Sequence, residues 1–154
     1  RKAAEDAGLL YGEIAEDELC LYAVKGHPLT EMACVTVEDL AGYPINTNRW
    51  PLKEYFGGCL PEGILPGEVF DDGEYLKKAL IKQTNSVAIM SKWAVADDIY
   101  IQTGSIIPLN TEEKLKRKII IASLVAQRDR WAPTEGLIYQ ELCDCINRYF
   151  NQTE

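Results

Sequence analysis

Among the 154 residues there is a single histidine, His27, set between Gly26 and Pro28. One histidine serves as a general base when a nucleophile or an orienting acid lies within reach. Nothing near it in sequence supplies either, so a solvated turn histidine is the plainer reading. Two carboxylate pairs, Asp71–Asp72 and Asp97–Asp98, have the side chains for acid–base work. Helix capping and first-turn dipole compensation explain both pairs more simply. Cys20, Cys34, Cys59, Cys143 and Cys145 are odd in number and form no CxxC pair, so they are expected to be buried structural thiols of a reducing compartment and not metal ligands. Phosphate-binding glycine loops, a GxSxG elbow and an HExxH pair are all missing. The chain is therefore expected not to be an enzyme, with no catalytic residue, metal or cofactor.

The turn Asn46-Thr47-Asn48-Arg49 differs from these. It follows a predicted strand and precedes a predicted helix, where backbone amides meet small anions. Arg49 has the fork that grips a carboxylate. The same residues make ordinary Asx-type turns, and the residues alone do not choose between the two. The basic run at Lys114, Lys116, Arg117 and Lys118 reads as a solvated loop that guards the apolar stretch after it.

Sixteen Lys and Arg against 24 Asp and Glu give a formal charge of −8. Such a chain makes a poor direct partner for nucleic acid or an anionic membrane. No apolar run approaches the length of a membrane span. Strands are predicted at 18–24, 43–47, 68–70, 87–90, 105–109 and 118–126, the last as the best central strand. Helices are predicted at 37–41, 51–56, 74–83, 94–99 and 133–150. The final helix places Leu137, Ile138, Leu142, Cys145, Ile146 and Tyr149 on one face, and Trp131 is expected over its start. Strands alternating with helices predict an α/β chain with a largely parallel sheet, whose ligands bind at strand carboxyl ends.

Four stretches resemble the effector-binding domain of LysR-type transcriptional regulators. They are His27-Pro28-Leu29 followed by Val37 to Ile45 (VEDLAGYPI), Val87 to Asp98 (VAIMSKWAVADD), Gly104 to Leu109 (GSIIPL), and the closing run of Ile119 to Ala126, Arg128-Asp129-Arg130 and the helix from Pro133. They stand in the family's order and spacing, and the similarity runs from about Glu18 to Phe150. The family's Gly-x-Gly before the second stretch is Thr84-Asn85-Ser86 here, and its proline is Ser91.

The resemblance implies a fold like that of type-2 periplasmic binding proteins, two α/β lobes joined by two crossover strands. Residues 1–26 would close the first lobe and form one crossover, 27–105 would be the second lobe, and 106–154 would cross over and return. The first lobe is expected to be incomplete, with its opening part and a winged helix-turn-helix preceding Arg1. It also implies an effector-sensing regulatory domain that binds a small, anionic metabolite in the cleft between lobes. Asn46, Thr47, Asn48 and Arg49 would meet it, joined by Phe70 and Asp71 from the neighbouring strand end. Expected partners are that effector, a second copy in a homodimer or tetramer, and DNA only through the preceding domain. There would be no membrane contact, and the location would be cytoplasmic. The rival reading is a transporter's solute-binding receptor with the same fold.

Overall fold

The computed structural model describes residues 9–112, 114–124 and 131–151. By contacts the chain divides into two units, 18–115 and the pair of segments 1–17 with 116–154. The 18–115 unit is built on strands β1 (Leu9–Val24, from Glu18 onward), β2 (Pro44–Asn48), β3 (Leu65–Phe70), β4 (Val87–Ser91) and β5 (Ile106–Pro108), in the order β3-β2-β4-β1-β5. β2 pairs parallel with β3 and β4, whereas β1 pairs antiparallel with β4 and β5. The α/β class stands, but the sheet is mixed, because β1 runs against the other four strands.

Alternation on β1 and β4 makes two cores, one on each face. Leu19, Leu21, Ala23, Val87 and Ile89 join Ile45, Leu40 and Leu52 on one side. Tyr22, Val24, Ala88 and Met90 join Leu76 and Leu80 on the other. β4 is buried at all five positions, which explains its continuous apolar run. Helices α1 (Leu52–Tyr55) and α2 (Gly73–Lys82) follow β2 and β3. Asp72 caps α2 by accepting from the Glu74 amide at 2.8 Å.

Several expectations need correction. The 94–99 stretch is not a helix; α3 spans Ile99–Gln102, because Asp98 takes the extended conformation of a cap and accepts from the Tyr100 amide. α1 is a single turn, ended at Phe56 ahead of Gly57 and Gly58, both at positive φ. His27 is buried, 2% exposed. It sits against the Tyr43 ring at 4.7 Å, and its Nδ1 accepts from the Leu29 amide. Of the cysteines, Cys34, Cys59 and Cys145 are exposed and Cys20 and Cys143 half-buried, so none has the expected deep burial.

In the other unit, β6 (Leu115–Leu124) pairs with β1 alone among the described residues, so it is not central. Its basic residues are not a loop. Lys118 pairs with Glu13, Lys116 with Glu16 and Arg117 with the buried Asp17. The partners of Lys118 and Lys116 run in opposite order along β1, and such cross-strand pairs hold two strands in register. Residues 125–130, including the end of the predicted strand and the Arg128-Asp129-Arg130 turn, lie outside the described residues. Trp131, just ahead of helix α4 (Pro133–Asn151), lies against Tyr139 at 5.3 Å. Leu137, Ile138, Leu142 and Cys145 on α4 are exposed and Ile146 is half-buried, since no described residue packs over that side. The Tyr149 side chain is outside the described set. Among the described residues, no helix is long and apolar enough to cross a membrane.

Candidate functional site

β2 ends in the turn singled out by its residue types. The β2–β3 register shifts between Ile45 and Thr47, so Gly67 and Glu68 both oppose Asn46 in a bulge. Asn46 holds it together: its Oδ1 accepts from the Glu68 amide at 2.9 Å, and its Nδ2 donates to Ser86 Oγ at 3.2 Å. Thr47 is equally buried, and its Oγ1 donates to the Trp50 carbonyl at 2.5 Å. Both side chains therefore use their polar atoms inside the fold, and what they do is shape the turn.

The turn is fixed from several directions. The Arg49 amide donates to the Phe70 carbonyl at 2.7 Å, and the Trp50 amide to the Asn48 carbonyl at 2.9 Å. Tyr55 Oη donates to that same Asn48 carbonyl at 2.8 Å. These bonds hold Arg49 at φ 68°, in the left-handed region that costs a non-glycine residue about 1–2 kcal/mol. Arg49 is exposed, and its guanidinium has no ion pair among the described residues. Asn48 Oδ1 is buried with no hydrogen-bond partner. A Cβ on Gly73 would lie 3.7 Å from Asn48 Nδ2, so the start of α2 reaches this side chain. Phe70 is half-buried and Asp71 exposed beside the turn. A strained cation and a buried unmatched acceptor at one strand end are what a polar ligand completes.

The register extends this edge across the sheet. Ile45 lies opposite Val87 and Asn46 opposite Ala88. Leu19 lies opposite Ser91, and the next residue, Lys92, donates its amide to the Glu18 carbonyl. The Glu18 carboxylate faces Lys92 Nζ at 3.7 Å and Lys114 Nζ at 3.3 Å. Burial raises its pKa, but the two ammonium groups and the Cys20 thiol outweigh this and hold it below the usual value. Burial, then Glu18, pushes the Cys20 thiol up to about 11, so it is a thiol and not a nucleophilic thiolate at neutral pH. Among the described residues no cluster of His, Cys, Asp or Glu could hold a metal.

The turn's parts that sequence reasoning missed are Tyr55, Ser86 and Gly67. Tyr55 sits seven residues beyond Asn48, and Ser86 and Gly67 act through long-range pairing. The Gly-bearing β3 segment was the one visible signal for a bulge. The helix that follows the turn, α1, is one turn long.

No protein-family model and no curated protein matches the sequence. Solved structures do match in fold. The regulatory domain of MetR, a LysR-family regulator from N. meningitidis, aligns at 18% identity and a TM-score of 0.69, covering 92% of this chain and 64% of its own length. The reduced OxyR regulatory domain from Pseudomonas aeruginosa aligns at 15% identity and a TM-score of 0.66, covering 93% and 66%. The Synechocystis CcmR regulatory domain, in complex with 2-PG, aligns at 14% and 0.62, covering 91% and 66%. The chain thus spans just under two thirds of the length of these domains. Its fold is that of LysR-family regulatory domains, the α/β fold of the type-2 periplasmic-binding-protein kind.

Proposed function

We propose that the chain is the effector-sensing part of a LysR-type transcription regulator and that it binds a small anionic metabolite at the carboxyl ends of β2 and β3. The observation that carries this is Arg49, held unpaired at φ 68° on the strand end of a fold that regulators use. Arg49 grips the anionic group, Asn48 Oδ1 accepts from a hydroxyl or amine of the same molecule, and Phe70 and Asp71 border it. Asn46 and Thr47 keep the turn in shape. The chain does no catalysis in this reading. DNA is reached through a winged helix-turn-helix domain outside these residues, the assembly is a dimer or tetramer, and the protein works in the cytoplasm, where the DNA is. An effector that inverts a 1:99 equilibrium must prefer one state by about 5.5 kcal/mol.

Arg49→Gly tests the reading. Glycine takes φ 68° without strain, so the variant is expected to be as stable as the parent or about 1 kcal/mol more so by urea titration. In a thermal-shift panel of small carboxylates and phosphorylated acids, including 2-PG, the parent is expected to be stabilised by at least one acid and the variant by none. Equal shifts in both proteins would remove Arg49 from the site.

A further inference from the structure

The 18–115 unit has an apolar cavity away from the Arg49 turn. Its volume is about 200 Å3. The walls are Leu21, Val35, Val37, Leu40, Phe56 and Leu115. Val35 and Leu40 are fully buried core residues, and the Val35 strand segment is tied to Thr111 by an isolated bridge. The Glu112 amide donates to the Val35 carbonyl at 3.4 Å. The pocket is thus framed by backbone bonding on its polar side and by core side chains on the other. An apolar cavity of roughly 150 Å3 already accepts a benzene ring.

Two carboxylates complete the lining, Glu38 and Glu112. Both residues are exposed, so they stand at the mouth and not in the depth. Neither has an ion pair among the described residues, whereas Glu13, Glu16, Asp17, Glu18, Glu74 and Asp98 all face a cation. Thr36 offers no competing charge, since its hydroxyl and amide both donate to Asp39 Oδ2 at 2.9 Å. Greasy walls with two uncompensated negative charges at the rim complement a molecule with an apolar body and a cationic end, and disfavour an anion of the same shape.

We propose that this cavity is a second binding site, for a small apolar amine whose ammonium group lies between Glu38 and Glu112 while its hydrocarbon part fills the pocket. The charge it selects is opposite to that of the acid assigned to the Arg49 turn, so the two sites take different ligands.

The test is methyl NMR on the whole chain, titrated at pH 7 with benzylamine, benzyl alcohol and benzoate, which share a ring and differ in charge. Saturable shifts are expected at the Val35, Val37, Leu40 and Leu115 methyls. Benzylamine should bind about tenfold tighter than benzyl alcohol, the size of effect two nearby charges give at a wet rim, and benzoate weakest of the three. Replacing both carboxylates (Glu38→Gln with Glu112→Gln) should bring benzylamine to the level of benzyl alcohol and leave the alcohol unchanged. Val37→Phe, which fills the cavity, should abolish both. Equal binding of amine and alcohol by the parent, shifts centred on other methyls, no saturation at all, or undiminished binding by the filled variant would each overturn the proposal. Should Val37→Phe fail to fold, the glutamine pair, changed only on exposed residues, decides it.

Discussion

His27 sits in a Gly-His-Pro stretch that reads as solvated, yet it is 2% exposed. Its Nδ1 accepts the Leu29 amide at 3.2 Å and caps the 3-10 turn Pro28–Glu31, so the proton of the neutral ring is on Nε2. Nε2 is buried with no hydrogen-bond partner; burial lowers the ring's pKa, the Asn85 backbone opposes this less strongly, and the net value lies below 6.5. Folding therefore favours the neutral ring. Stability is full above the unfolded-state pKa near 6.5 and falls as the pH drops through it toward the lower folded value. Melting temperature is expected to decline between pH 7 and pH 5, and in His27→Gln that part of the decline should vanish. A parallel decline in both proteins would assign it to other groups. Gly67 gives a second prediction. A Cβ there would lie 2.3 Å from Asn46 Oδ1 and 2.8 Å from the Ile45 carbonyl carbon. Neither neighbour has room to move without opening the bulge, so Gly67→Ala should destabilise by about 2–3 kcal/mol in urea titration. A loss under about 0.5 kcal/mol would mean that the bulge relaxes freely.

Between elements, Asp98 ties α3 to α2. It caps α3 through the Tyr100 amide and takes the Lys77 ammonium, which also pairs with Glu74 at 2.7 Å. Burial raises the Asp98 pKa, but Lys77 and the Tyr100 and Ile101 amides overcome this and hold it below 3.8. Asp98→Ala removes a cap and leaves a buried ammonium with only an exposed partner, so it should cost about 2–4 kcal/mol. Glu74→Ala should cost under about 1 kcal/mol, because Glu74 is half exposed and screened. Equal losses on chemical denaturation would argue that the α2 turn, and not the α2–α3 link, is what matters. The aspartate pairs were legible as caps because capping is local, and Asp72 and Asp98 do cap. The Asn46–Arg49 turn was legible in its place but not in its division of labour. Whether an asparagine faces a ligand or braces a bulge is decided by Gly67 and Ser86, about 20 and 40 positions away. β1 was read nine residues too short because Glu13, Glu16 and Asp17 break the apolar pattern of that stretch; those carboxylates find basic partners a hundred residues on, at 116–118. The burial of His27 and the exposure of three cysteines likewise depend on what packs over them, which no local pattern records.

At the scale of the whole chain, the two units differ in how much core each shows. The 18–115 unit has a packed layer on each face of its sheet and, among the described residues, nearly all the fully buried side chains. In the other unit the described residues hold an ion-paired strand ladder and a helix with Leu137 66%, Ile138 68% and Leu142 48% exposed. Exposed pairs in such a ladder add little each, and a helix with its apolar side bare gains little from packing. Stability is therefore expected to be uneven along the chain. Native-state hydrogen exchange should show the amides of β2, β4 and α2 opening only with global unfolding, and those of α4 exchanging through a cheaper, local opening. A polypeptide of residues 18–115 should then unfold in one cooperative urea transition, with a slope in the range of about 1–3 kcal/mol per molar found for small domains. Loss of that transition in the shorter chain, or protection of α4 equal to that of β4, would show that the double core depends on residues outside 18–115.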